Sequence, residues 1–483
     1  MQLVAYGAQD VYLTGNPQIT FFKIVYRRHT NFSMEAIQQQ FNGNAGFGKK
    51  VSCTISRNGD LIHRIYMQAK VGSLTSEANH STRWLNWLGH LVIKDVELEI
   101  GGQAIDKHYG DWMHIWNELT QRPGLQQGYA TMVGNVPRMT MVHSTGNATR
   151  GITDGSTQDD YHLYVPLQFW FCRNPGLALP LIALQYHEVK INMTFRDFDE
   201  CYFNIGNNDP AVQDGTFVHV TPPTFTPSLY VDYIYLDTEE RRRFAQVSHE
   251  YLIEQVQFTG AESVTEGTSN KVKLNFNHPV KELVWVMQRT DVKCDQNTSD
   301  AAGTGAGHYG AQPFNFTTAW DQSPFTGTPE GPYGTGMADA DTLSLILGDA
   351  GDSWGNKRLT TGDATQLTKV YLHDTGKNFT KSAKVILNGH DRFSERPGSY
   401  FNYVQPYQHH TCVPAEGINV YSFGLEPEEH QPSGTCNFSR IDNATLLVDV
   451  ETTNAPDVEI RVYATNYNVL RIMSGMGGLA YSN

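Results

Sequence analysis

Apolar and polar residues alternate in short runs along most of the chain. From Asp95 to Ile100 the sequence is DVELEI, with Val96, Leu98 and Ile100 on one side and Asp95, Glu97 and Glu99 on the other. A period of two is the pattern of a half-buried strand. Gly101-Gly102 follows with the turn chemistry of a tight hairpin, and Gln103 to Asp106 begins the return strand. Trp112, Ile115, Trp116 and Leu119 then fall at the spacing of one helix face, which predicts a short helix. A similar succession recurs at AKVILNGHDRFSERPGSYF, Ala383 to Phe401, where Asn388-Gly389 makes the turn. Upstream, VSCTISRNGDLIHRIYMQ (Val51 to Gln68) resembles VKLNFNHPVKELVWVMQ (Val272 to Gln288). The matches come in the same order in each half, so the chain reads as two copies of one β-rich unit carrying different loops.

In the first copy the pattern predicts strands at Val51–Ser56, Leu61–Val71, Leu91–Ile100, His162–Phe171, Val189–Phe195 and Leu229–Asp237. In the second it predicts His249–Phe258, Val272–Phe276, Leu283–Gln288, Lys384–Leu387, Val420–Leu425, Ala444–Val450 and Val458–Tyr467. Between them, Asp237 or Thr238 is an N-cap, with Glu239-Glu240 in the first helical turn and Arg241 to Arg243 later, the charge order a helix dipole favours. The expected division is an arm at 1–26, a first unit at 27–237, a helical linker at 238–248 and a second unit at 249–483. The second unit carries an insertion at 289–382, rich in Gly, Thr, Asp and Pro, with a short helix at Thr342–Leu347. Many short strands without alternating long helices argue for an all-β chain of antiparallel sheets. Long excursions between the strands point to two consecutive eight-stranded jelly rolls with short helices and long loops.

The net charge of −14 disfavours direct nucleic-acid binding, which calls for a basic balance. Six scattered cysteines without a CxxC pair read as free thiols of a reducing compartment. Polar Gln2, Gln9 and Asp10 stand where a signal peptide is apolar, so synthesis in the cytosol is expected. GNAGFGKK (Gly43–Lys50) is a near miss to a phosphate-binding loop, but Lys50 replaces the Ser or Thr that would hold magnesium; a glycine turn is expected. Gly475 to Gly478 reads as a chain-end turn. His409-His410, His187-Glu188 and His249-Glu250 form no HExxH, and no GxSxG occurs. Glu428-Glu429 reads as a solvated loop. No catalytic, cofactor or metal site is assigned, and no enzyme is expected.

Several longer strings resemble the major capsid proteins of nucleocytoplasmic large DNA viruses, those of algal viruses most of all. They include QLVAYGAQDVYLTGNPQITFFKIVYRRHTNF from Gln2, DVELEIGGQAIDKHYGDW from Asp95 and PGLALPLIALQYHEVKI from Pro175. DYIYLDTEERRRFAQVSHEYLIEQVQFTG from Asp232, QPSGTCNFSRIDNATL from Gln431 and YNVLRIMSGMGGLAY from Tyr467 extend the resemblance to the second half. The resemblance implies a homotrimer that forms a pseudo-hexagonal capsomer of an icosahedral virion. It also implies contacts with neighbouring capsomers and minor capsid proteins, an arm directed toward internal membrane-associated proteins, and assembly in the host cytoplasm. Because relatives in algal viruses carry surface glycans, it makes Asn297, Asn315 and Asn378 of the insertion glycosylation candidates. The alternative function is a jelly-roll surface protein that binds host glycans through Trp320, Phe325, Tyr333 and Trp354.

Overall fold

The computed structural model describes residues 7–75, 80–140, 143–144, 157–206, 220–290, 313–318, 377–451 and 458–481. Its first half holds strands β1 (Phe32–Gln39), β2 (Lys50–Thr54), β3 (Leu61–Val71), β4 (Ile93–Ile100), β5 (Gln103–Tyr109), β6 (Tyr161–Pro166), β7 (Val189–Phe195) and β8 (Phe225–Leu236). They pair antiparallel in two sheets, ordered β1-β8-β3-β6 and β2-β7-β4-β5. The second half repeats the plan with β9 (His249–Val264), β10 (Ser269–Lys273), β11 (Pro279–Arg289), β12 (Thr380–Leu387), β13 (His390–Asp391), β14 (Ile418–Ser422), β15 (Ala444–Val450) and β16 (Val458–Met473). The sheets run β9-β16-β11-β14 and β10-β15-β12-β13, the same order shifted by eight strands. Even the short additions correspond. Leu179–Pro180 pairs with the start of β3, and Cys436–Asn437 with the start of β11. This is the double jelly roll.

Alternation builds each core. In β4, Val96, Leu98 and Ile100 are buried between the sheets while Lys94 faces out. In β12 and β15 the core side is held by Ala383, Val385, Leu446 and Val448. Gly101-Gly102 and Asn388-Gly389 both take positive φ at two successive residues, the geometry of a two-residue turn matched to strand twist. The linker helix spans Thr238–Gln246, and the Asp237 carboxylate accepts from the Glu240 N–H at 3.0 Å.

Several sequence-based expectations shift. The apolar run expected as a strand at His162–Phe171 stops at Pro166, whose ring nitrogen carries no N–H for the ladder, and Trp170–Arg173 forms a helical turn. Leu88–Val92 is a helix, so the next strand starts at Ile93. β9 runs past Phe258 through a bulge where Gly260 has φ +111°, and β16 extends to Met473. Strand β1 was not expected: the alternation of FSMEAIQQ covers only Phe32 to Ala36 and breaks at Ile37, and both of its faces are largely open. The helix expected at Thr342–Leu347 lies outside the described residues. The Gly43–Lys50 segment is a turn that delivers Phe47 onto Trp84, Phe198 and Phe225.

Candidate assembly surfaces

The helix expected from the Trp112 stripe spans Gly110–Thr120 directly after β5. Trp112, Ile115, Trp116 and Leu119 are buried against the outer face of the second unit's β9-β16-β11-β14 sheet, on Val284, Val286, Ile418, Val420 and Tyr463. Each such side chain withdrawn from water contributes about 1.5–3 kcal/mol. The joint between units is therefore a core in its own right, and it holds the two rolls as one block.

Polar groups fix its register. Arg461 of β16 is buried and donates to Asp111 on the first-unit helix and to Gln288 on β11. Gln255 donates to the Ile105 carbonyl, and the Val256 N–H to Asp106 at 3.1 Å. Glu254 accepts from Arg173 of the first unit at 2.7 Å and from Lys281 at 3.0 Å, with His430 at 3.4 Å. Burial alone would raise the Glu254 carboxyl, but Arg173, His430 and Lys281 together outweigh it and hold it at about 2. The C-terminal hairpin at Ser474-Gly475 also crosses the joint. The Tyr186 N–H donates to the Gly475 carbonyl at 3.0 Å, and His187 lies 2.9 Å from the Gly477 carbonyl. None of these long-range pairs leaves a local signature in the sequence.

His410 and Glu428 take a different place from the one expected. His410 sits 2.9 Å from both the Glu282 and Glu428 carboxylates, and Glu428 also accepts from the Thr411 N–H at 2.8 Å. Burial pulls the imidazole down, but Glu282 and then Glu428 raise it to about 9. Glu428 is thus an ion-pair partner, while Glu429 beside it in the turn is exposed. Among the described residues no group of three His, Cys, Asp or Glu is placed to hold a metal, and five cysteines are free.

The glycosylation candidates are corrected in part. Asn315 is 3% exposed and Asn378 9%, too little to carry a glycan in the folded chain. Their side chains accept from the backbone N–H of Thr317 at 3.1 Å and Thr380 at 3.0 Å, so each Asn-Phe-Thr forms an Asx turn. Thr317 and Asn378 form a bridge, so the two turns lie side by side just before β12. The same turn recurs at Asn437-Phe438-Ser439. Asn297 lies outside the described residues, as do Trp320, Phe325, Tyr333 and Trp354.

Among the described residues, apolar and aromatic side chains are left open on the arm and on one sheet face. The arm before β1 presents Tyr12, Leu13, Phe21, Phe22, Val25 and Tyr26 to solvent. The outer face of the β1-β8-β3-β6 sheet carries Tyr66 stacked on Tyr230, ring centroids 5.3 Å apart, with Tyr164 beside them. A chain that closes its own cores but leaves a block with open sides matches known shell proteins along its length. Residues 20–237 match the family model described as the major capsid protein N-terminus. Residues 240–478 match that of the large eukaryotic DNA virus major capsid protein. The chain belongs to the major capsid proteins of large eukaryotic DNA viruses. It is 52% identical to the major capsid protein of Phaeocystis pouchetii virus, over 100% of this chain and 99% of the relative. It is 43% identical to that of Paramecium bursaria Chlorella virus 1, with the same coverage. Among solved structures, PBCV-1 VP54, whose crystal structure was fitted into a reconstruction of the virophage Sputnik, aligns with a TM-score of 0.68 at 37% identity. That alignment covers 96% of this chain and 100% of VP54. The Faustovirus major capsid protein, at 13% identity and a TM-score of 0.65, shares the fold. This capsid protein is a component of the virion.

Proposed function

We propose that three copies of this capsid protein close into one pseudo-hexagonal capsomer, the repeated block of an icosahedral shell. The observation that carries the reading is the repeat itself: two units of identical strand order joined head to tail within one chain. Three chains then supply six like units, and a heterologous contact that turns by one third closes into a ring. The side faces meet neighbouring capsomers in many individually weak contacts that together hold a shell. The division into arm 1–26, first roll 27–237, linker 238–248 and second roll 249–483 serves this design, with insertion 289–382 on the exterior. The exposed apolar side chains of the arm suit minor capsid proteins and internal membrane-associated proteins. The chain works without cofactor, catalysis or direct nucleic-acid contact, and assembles in the host cytoplasm. Asn297 stays a glycan candidate. Negative-stain electron microscopy of the purified protein tests the reading. Particles of hexagonal outline are expected, and their lateral arrays should loosen as ionic strength falls and the repulsion between chains of net charge −14 is less screened. A field of separate two-lobed particles at all salt concentrations would contradict it.

A further inference from the structure

The repeat lets the contact inside one chain locate the contact between chains. This rests on the three-chain reading above and names its residues. Within the chain, the helix after β5 packs on the outer face of the second unit's β9-β16-β11-β14 sheet. The second unit has the equivalent helix, Tyr400–Val404 continued by Gln405–His409, after β13. The first unit has the equivalent sheet face.

Two glycines align the helices. A Cβ on Gly110 would overlap the carbonyl oxygens of His90, in the helix before β4, and of Ile93 at the start of β4. A Cβ on Gly398 would overlap the Thr380 carbonyl oxygen at the start of β12. Each glycine lets a helix begin against the strand that opens the preceding hairpin. Counting on from them, Met113 corresponds to Phe401, and both are buried in their own unit's core. Ile115, Trp116 and Leu119 correspond to Tyr403, Val404 and Tyr407. The first three are buried in the joint, whereas Tyr403 is 44% exposed, Val404 40% and Tyr407 80%. The second unit therefore repeats the apolar stripe with nothing among the described residues covering it.

The sheets align by their ladders. Val286, under the first-unit helix, pairs with Arg461 and Ile418. In the first unit Tyr66 occupies that place and pairs with Tyr230 and Pro166. Met34, 48% exposed on β1, takes the place of Val256. The face equivalent to a buried joint is thus an open patch of Met34, Tyr66, Tyr230 and Tyr164.

We infer that Tyr403, Val404 and Tyr407 of one copy pack on the Tyr66–Tyr230 face of a second copy, repeating the internal joint. Tyr407 lies toward Tyr164, because the Leu119 carbonyl accepts from the Cys412 N–H at 3.0 Å, in the segment leading into β14, the counterpart of β6. One copy gives its helix and the other its sheet, so the contact is head to tail.

The test uses full-length protein and native mass spectrometry on four samples. These are the wild type, a helix variant (Val404→Asp with Tyr407→Asp), a face variant (Tyr66→Asp with Tyr230→Asp) and an equal mixture of the two variants. The wild type should carry three chains and each variant alone one. The mixture should give pairs of roughly 108 kDa, because one intact helix meets one intact face and nothing remains to continue the ring. Pairs in the mixture also show that both variants are folded. Variants that keep the three-chain mass, or a mixture that stays single, would overturn the inference and leave the three-chain reading standing. A wild type of single chains overturns both.

Discussion

Replacing Glu254 with Gln removes one buried charge and keeps the shape of the side chain. Its carboxylate ties the first unit to the second, meeting Arg173 at 2.7 Å, Lys281 at 3.0 Å and His430 at 3.4 Å. Lys281 is itself buried and already pushed down by burial, so it then loses the carboxylate that favours its charge. Breaking a buried pair by removing one partner costs about 3–5 kcal/mol. Lys281 keeps the Glu429 carbonyl at 3.0 Å, and Arg173 keeps the ring of Trp116 at 4.7 Å, which places the expected loss near the lower end. Urea unfolding at fixed protein concentration reads it. With a slope of about 3 kcal/mol per molar, the midpoint falls by about 1 M. Glu254→Leu combined with Lys281→Met removes both charges and should recover more than half of that drop. The pH dependence gives a second reading. The carboxyl sits at about 2 in the folded chain, well below its ordinary value, so its contribution is complete above about pH 4.5 and is lost as pH falls toward 2. Glu254→Gln should flatten that acid limb. A midpoint shift below about 0.3 M, with the acid limb unchanged, would refute the view that this charge cluster locks the two units.

Leu119→Ala, in the apolar joint, should lose about 2–5 kcal/mol in the same assay. Gly398→Ala should destabilise more than Gly124→Ala, because its Cβ would overlap the Thr380 backbone carbonyl oxygen of β12, whereas a Cβ on Gly124 meets nothing within 4 Å. His410 is raised to about 9 by Glu282 and Glu428 against the pull of burial. The stability it adds is therefore full below about pH 6.5 and fades as pH rises through about 9. His410→Asn should lack that alkaline limb in thermal melts at fixed concentration. Asn315→Gln and Asn378→Gln should leave the intact mass of virion-derived protein unchanged apart from the substitution, while lowering the melting temperature through loss of the Asx turns.

Much of the architecture was legible because it rests on local periods. The β4–β5 hairpin shows its alternation, its Gly-Gly turn and then a helical stripe, and the same order at Ala383–Phe401 marked the second copy. The Asp237 cap was legible for the same reason, since its partner is three residues away. What escaped depends on contacts distant in sequence. The alternation of β1 lasts only from Phe32 to Ala36, and β13 is two residues long. Glu254, Lys281, Arg173 and His430 lie on separate elements and meet only in the folded joint. The Asn-Phe-Thr sequences misled because the residue spacing that makes a glycosylation signal also lets an Asn side chain cap the amide two residues on. The helix stripe Tyr403, Val404 and Tyr407 had a usable signal, the echo of Ile115, Trp116 and Leu119. That echo needs Gly110 and Gly398 set in register, and the loop before Gly398 hides it.

The central claim is that this capsid protein is one third of a closed block. Static light scattering on the purified, dilute chain measures that directly. A stable species of three 54.2 kDa chains, roughly 163 kDa, is expected. A clean single-chain mass at the same concentration would contradict it.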